Sequence, residues 1–214
     1  MGIGEAAAAL LYRVLRALAR VAARVYFRRV DVIRAAPLPA GPLLVAANHP
    51  ASVTDVVLIA LALPRRLHIV ARVGLFRPWP RAWVVRALGC LPVVAAGERP
   101  DQAETNARTF AAAQALFDAG GALLVFPEGR SESDREVLPL RTGSARLALK
   151  VESRAPGRLS LLPVGLRLAE RTAFRTEVAV HVGAPLPLAP FAARARDDHE
   201  GAVRALTDAL HAAL

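Results

Sequence analysis

Two residues that could move a proton, His49 and Asp55, stand close together in the segment Ala47-Asn48-His49-Pro50-Ala51-Ser52-Val53-Thr54-Asp55. An imidazole beside a carboxylate can take a proton from an alcohol at neutral pH, because the carboxylate fixes the tautomer and stabilises the imidazolium. Their spacing limits how they can meet. Six positions along an ideal helix separate two side chains by about 240°, on different faces. They meet only if His49 lies in a turn and Asp55 in the first turn of the helix that follows, and Pro50 favours this by holding His49 extended. The same residues also fit an ordinary helix start, with Ser52 as N-cap and Asp55 complementing the helix dipole. Both readings are compatible. Further along, Phe126-Pro127-Glu128-Gly129-Arg130-Ser131 forms a second polar cluster after another apolar run.

The elements that must position these clusters alternate strand and helix. Residues 30–34 and 43–47 read as strands separated by a Pro/Gly loop, and 52–63 as an apolar helix stopped by Pro64. A strand over 68–72, a helix over 81–88 and a strand over 90–94 follow. A helix over 101–118 opens on a capping box, Asp101 with Glu104, and stops at Gly120-Gly121. Residues 123–126 form a buried strand, 143–151 a helix, 159–165 and 177–182 strands, and a terminal helix starts near His199. This alternation predicts an α/β fold, a mixed, mainly parallel sheet covered by helices. In such sheets ligands bind at the carboxyl ends of strands. His49 and Glu128 each follow a strand, so the two clusters are expected to form one site.

Composition bounds the rest. The 214 residues are enough for one domain with a sizeable core. Hydrophobic residues make up 54% of the chain and mean hydropathy is +0.34, yet no window offers the roughly 18 uncharged apolar residues of a spanning helix. There is no secretory signal with a cleavage site, and the Met-Gly start lacks the Ser/Thr of a myristoylation signal. The one cysteine, Cys90, sits in an apolar run and reads as a small hydrophobe, so disulfides and cysteine-based metal sites are excluded, and no metal is expected.

A net charge of +10 and a pI near 11.4 point to nucleic acid or an anionic membrane. Of 28 basic residues only Lys150 is a lysine, so part of the charge reflects composition bias. Aromatics are 5% of the chain and are not interleaved with basic residues, which disfavours nucleic acid. The arginines are better ordered near the start. Residues 5–29 read as one helix in which Arg13, Arg16, Arg20, Arg24 and Arg28 step by three or four and form a single stripe roughly 120° wide, surrounded by apolar side chains. Such a helix can pack on the domain with its arginines in solvent. It can also lie in a membrane interface, apolar face among acyl chains and arginines among phosphates. The breadth of the apolar surface favours the interface. Trp79 and Trp83 flank Pro80 and suit either an interfacial anchor or the core.

In order and content these features resemble the PlsC-like glycerolipid acyltransferases, the 1-acylglycerol-3-phosphate and glycerol-3-phosphate acyltransferases, over about residues 10–190. Asn48, His49, Ser52 and Asp55 match the family's first block, with five residues between His and Asp where four are commonest, the spacing of a variant group that carries His-Pro. Gly74-Leu75-Phe76 and Leu88-Gly89-Cys90-Leu91-Pro92-Val93 resemble the second block. Phe126 to Ser131 resembles the most diagnostic one, followed by Leu140-Arg141-Thr142-Gly143, and Leu161-Leu162-Pro163-Val164 resembles the last.

The resemblance implies acyl transfer from acyl-CoA or acyl carrier protein to a lyso-glycerolipid, with no bound cofactor and no nucleic-acid partner. His49 and Asp55 would be catalytic, and Asn48, Ser52, Glu128, Gly129, Arg130 and Arg141 would bind substrate. It divides the chain into a membrane-association helix, 1–29, and an acyltransferase domain, 30–214. It implies peripheral attachment to the cytoplasmic face of a bacterial inner membrane. One position departs from the family: Ala95 stands where an arginine usually grips the acceptor's phosphate, with Arg99, Arg130, Arg141 and Arg146 as substitutes. 1-Acylglycerol-3-phosphate is the favoured acceptor, with glycerol 3-phosphate and a non-phosphate lyso-lipid such as lyso-ornithine lipid as alternatives. An inactive membrane-binding module is the alternative of another class, and the intact His49, Asp55, Glu128 and Gly129 argue against it.

Overall fold

A computed structural model describes residues 3–76, 85, 89–94, 102–130, 137–171 and 173–214, with side chains from Leu10 onward. The expected helix over 81–88, Asp101 of the capping box, Trp79, Trp83, Ala95, Arg99 and Ser131 lie outside the described residues, Val85 of that helix excepted. Seven strands make one sheet: β1 (Arg29–Arg34), β2 (Leu43–Ala47), β3 (Leu67–Arg72), β4 (Leu91–Val93), β5 (Ala122–Val125), β6 (Ser160–Leu168) and β7 (Glu177–Val182). Their order is β1-β7-β6-β2-β5-β3-β4. All neighbouring pairs are parallel except β6 with β7, so β1 and β7 run against the other five. The mixed, mainly parallel sheet read from the alternation is present.

The helices among the described residues are α1 (Ile3–Tyr26), α2 (Val53–Ala62), α3 (Gln102–Asp118), α4 (Gly143–Arg154), α5 (Ala189–Arg194) and α6 (His199–Ala212). Central β2, Leu-Leu-Val-Ala-Ala, is buried along its length, as a strand covered on both faces must be. Alternate residues feed two cores. Leu43, Val45 and Ala47 join Leu58 and Ile59 of α2 and Ala23 and Phe27 on one face. Leu44 and Ala46 join Phe117 of α3, Ala148 of α4 and Leu206 of α6 on the other. The Gly120-Gly121 stop holds: Gly120 takes φ 75°, its N–H reaches the Phe117 carbonyl, and that of Gly121 reaches Leu116, which closes α3 as a Schellman turn. At the other end of α3, Glu104 pairs with Arg108 one turn on.

α1 has three faces. Ala23 and, just past its end, Phe27 enter the core, and Arg16 donates to the Leu63 carbonyl at 2.7 Å. Arg34 caps the same helix end through the Ala62 carbonyl at 2.8 Å. α2 has no basic residue in its own last turn, so these two guanidiniums satisfy carbonyls that would otherwise be orphaned. Arg16 therefore leaves the stripe, and Arg28 pairs with Glu177 at 3.2 Å. Arg13, Arg20 and Arg24 stay exposed on a second face. Leu10, Val14, Leu18, Val21 and Val25 occupy the third, also exposed, with Leu18 at 61%.

Candidate active site

The carboxyl ends of β2 and β5 bring both polar clusters together. Past β2 the chain turns at Pro50, and the imidazole Nδ1 of His49 lies 2.9 Å from Oδ2 of Asp55 in the first turn of α2. Asp55 is fully buried, and the same oxygen accepts the Ala51 N–H at 2.7 Å. With Asp55 ionised, Nδ1 carries the proton and Nε2 is the nitrogen available to a substrate. The ring stacks on Phe126 at 3.8 Å between centroids and 16° between planes, so its orientation is fixed from two sides. Ser52 is the N-cap residue, but its hydroxyl makes no capping bond. Its backbone sits at φ 60°, ψ −123°, where a non-glycine residue is strained by about 1–3 kcal/mol. That strain is the cost of turning the chain sharply enough for His49 to face Asp55.

Glu128 is bonded to the backbone of the histidine turn. Its side chain points inward, 6% exposed, and Oε1 accepts the backbone N–H of His49 at 2.8 Å while Oε2 accepts that of Leu138 at 3.4 Å. Burial raises its carboxyl above the ordinary value, and the two backbone donors pull the other way. Asn48 likewise faces away from the cavity. Its amide group donates to the Leu166 carbonyl at 2.9 Å and accepts the Leu166 N–H at 2.6 Å, which bonds the turn to β6. Both residues thus brace the histidine turn, and neither is among the residues that line the cavity.

Gly129 takes φ 72°, and a Cβ there would lie 2.5 Å from Nε of Arg141. The glycine lets that guanidinium pack flat against the turn. Arg72, at the end of β3, donates to the Gly129 carbonyl at 2.7 Å. Arg72, Arg130 and Arg141 all line the mouth of the same cavity as His49 and Ser52. Arg72 drew no attention in the sequence, where it is one arginine among many. Its place at a strand end beside the Gly129 turn is the signal that could have singled it out. Arg146, by contrast, is held by both oxygens of Glu200, at 2.8 and 2.6 Å, and does not line this mouth. Burial pushes the Cys90 thiol up to about 11, which leaves it protonated and unreactive.

The cavity has a volume of about 960 Å³. Past His49 it runs between the sheet and helices α3 and α4, where Val70, Leu123 and Val125 face Phe110, Ala113 and Leu147. Arg72, Arg130 and Arg141 are exposed, and the buried hydroxyl-bearing side chains of Thr109 and Ser144 also line the cavity among its apolar residues. Among the described residues no three His, Cys, Asp or Glu side chains group where they could hold a metal ion.

The sheet is that of an α/β protein with a His–Asp pair at the carboxyl ends of its central strands. The chain belongs to the acyltransferase family, whose pattern it matches over residues 13–167. An uncharacterized acyltransferase of Schizosaccharomyces pombe is 37% identical over 70 residues, which are 32% of this chain and 10% of the yeast protein. The chain thus spans only a small part of that relative. The crystal structure of the 1-acyl-sn-glycerophosphate (LPA) acyltransferase PlsC from Thermotoga maritima superposes with a TM-score of 0.65 at 19% identity. It covers 98% of this chain and 80% of that one, so the two share a fold.

Proposed function

We propose that this acyltransferase moves a fatty acyl group from a thioester, acyl-CoA or acyl carrier protein, to the hydroxyl of a lyso-glycerolipid, with 1-acylglycerol-3-phosphate as the acceptor. The observation that carries the reading is the His49–Asp55 pair, whose histidine lines one cavity together with Arg72, Arg130 and Arg141 and with apolar side chains such as Val70, Leu123 and Phe110. That arrangement suits an acceptor with an anionic head and a donor with an apolar tail.

His49 Nε2 takes the proton of the acceptor hydroxyl as its oxygen attacks the thioester carbonyl. The C–S bond then breaks, and the imidazolium returns the proton to the leaving thiolate. Asp55 holds the tautomer and stabilises the cation, the logic of the acid in a Ser–His–Asp triad. A thioester already carries a good leaving group, so no acyl-enzyme is needed. The donors near the turn are few: Pro50 has none, His49 N–H is bound to Glu128 and Ala51 N–H to Asp55. The backbone N–H groups of Ser52, Val53 and Thr54 are the ones left to meet the developing oxyanion.

The arginines support a phosphate-bearing acceptor even though Ala95 replaces the family's usual grip, because Arg72, Arg130 and Arg141 reach the mouth from three separate segments. Ala95 itself favours the second reading, a lyso-lipid without a free phosphate monoester. We further propose that α1 lies in the membrane interface as a peripheral anchor, its third face among acyl chains and Arg13, Arg20 and Arg24 among phosphates. No helix among the described residues is long and apolar enough to cross a membrane. A bacterial inner membrane, from its cytoplasmic face, fits such an anchor. The test is a panel of acceptors with one labelled acyl donor. Lysophosphatidic acid should lead, and lyso-ornithine lipid outpacing it tenfold would overturn the acceptor while leaving the chemistry intact.

A further inference from the structure

Residues 173–176, which lead into β7, are fastened to the end of α1. Arg175 takes φ 65°, a conformation that a non-glycine residue adopts only under strain. The strain seats the turn on the helix: the Arg175 N–H reaches the Tyr26 carbonyl at 2.7 Å, and its guanidinium donates to the Arg24 carbonyl at 3.4 Å. These bonds satisfy carbonyls that the last turn of a helix leaves open. What the held turn presents outward is a phenyl ring. Phe174 meets the Tyr26 ring edge-on, 5.8 Å between centroids, yet stays 64% exposed. A fixed turn that leaves its largest apolar side chain in water forgoes the burial that would stabilise it.

Two placements say what covers the ring. Successive helical residues lie 100° apart, so Arg24 and Tyr26 stand on opposite flanks of the exposed face that Val25 shares with Val14, Leu18 and Val21. Phe174 therefore widens that apolar face on the flank away from the arginines. Along the sheet, β2 ends at Ala47 opposite Val164, whereas β6 runs on to Leu168. The turn thus lies beyond the carboxyl end of β2, the end that carries His49, by about 13 Å of strand.

We propose that the β6–β7 turn is a second membrane contact, with Phe174 entering an anionic bilayer beside the apolar face of α1. The inference rests on the reading of α1 as an interfacial helix, which supplies the surface. A bilayer suits the strip because exposed arginines accompany it, Arg13, Arg20 and Arg24 along one flank and Arg175 next to the ring in sequence. An amphipathic helix alone can roll about its axis. A second contact off that axis fixes the roll and holds the carboxyl ends of the strands at the lipid surface, where a lyso-lipid acceptor would be found.

The test places a nitrobenzoxadiazole label on Phe174→Cys, with Cys90→Ala removing the native thiol, and adds vesicles of equal parts phosphatidylglycerol and phosphatidylcholine. Emission should rise and shift to the blue, and lipids spin-labelled on their acyl chains should quench it. The same label on Ser153→Cys, exposed on α4 at the other face of the sheet, should do neither. In unlabelled protein, Phe174→Ala should weaken vesicle binding about tenfold and Phe174→Leu should recover part of the loss. Thermal melts of both should stay near wild type, because the ring is already mostly in water. A label at 174 that remains in water while the protein floats with the vesicles overturns the proposal and leaves α1 to hold the membrane without the turn. A wild-type chain that does not bind these vesicles sinks the α1 reading and the turn together.

Discussion

Under the proposed mechanism, His49 meets the acceptor while Asp55 and Glu128 hold it in place. His49→Ala should lower turnover about 10³-fold, within the range for loss of a general base, and leave the melting temperature nearly unchanged. Asp55→Asn should keep somewhat more activity, since the base survives in a disturbed tautomer. Wild-type acyl transfer by His49→Ala would remove the mechanism. Glu128→Gln tests positioning. An amide cannot accept from both backbone donors, so the His49 turn should loosen, at a cost of roughly 10–100-fold in kcat. Stability gives an independent readout. Because burial raises the Glu128 carboxyl above its ordinary 4.5, the folded chain holds that proton more tightly than the unfolded one. The contribution is full below pH 4.5 and is lost as pH rises through the folded value. Glu128→Gln cannot lose it, so its deficit against wild type should be largest in acid and shrink toward neutral pH in urea melts. A gap that widens toward neutral pH would assign the carboxylate the opposite environment. The His–Asp pair was legible because Pro50 and the spacing leave one way for it to meet. The direction of Glu128 was not, since backbone donors of the histidine turn and polar ligands lie on either side of the Gly129 turn.

At the scale of elements, apolar periodicity and glycine–proline punctuation located the strands and the longer helices within a few residues. Six-residue α5 escaped notice because it is too short to show a period, and β6 runs three residues further than expected because β7 pairs with its end. The arginine stripe shows a different limit. A helical projection groups Arg16 with Arg13 and Arg20, but it knows nothing of the Leu63 carbonyl that Arg16 meets. The test of the membrane proposal must therefore spare Arg16. Replacing Arg13, Arg20 and Arg24 with Gln should weaken binding to anionic liposomes roughly 10²-fold, at about a factor of five each, without changing the melt. Arg16→Gln should lower the melting temperature because it strands the end of α2. Unchanged flotation of the triple variant would return α1 to a helix that merely packs on the domain.

For the whole molecule, the sheet order and the reversed β1–β7 pair were beyond sequence reading, since nothing in residues 177–182 tells a parallel strand from an antiparallel one. The arginine-lined mouth was hidden for the same reason. It exists only once β3, the Gly129 turn and the segment before α4 have come together. Arg72→Ala should cut kcat/KM for a phosphate-bearing acceptor by roughly 10–100-fold, the range for loss of one charge-assisted contact. A lyso-lipid without the phosphate should suffer much less, and an equal loss on both acceptors would reduce Arg72 to a support for the Gly129 turn.

The histidine turn is held by Glu128, 79 residues downstream, and by Leu166, 118 residues beyond Asn48. During synthesis at about 5–20 residues per second, His49 leaves the ribosome roughly 6–24 s before the last of these partners exists. α1 emerges earlier still, when the chain behind it has no folded site. With α1 as the proposed anchor, a nascent chain would settle on a surface well before its site is complete. The histidine turn is assembled late, from partners distant in sequence, and acquires its geometry only when the central strands close around it.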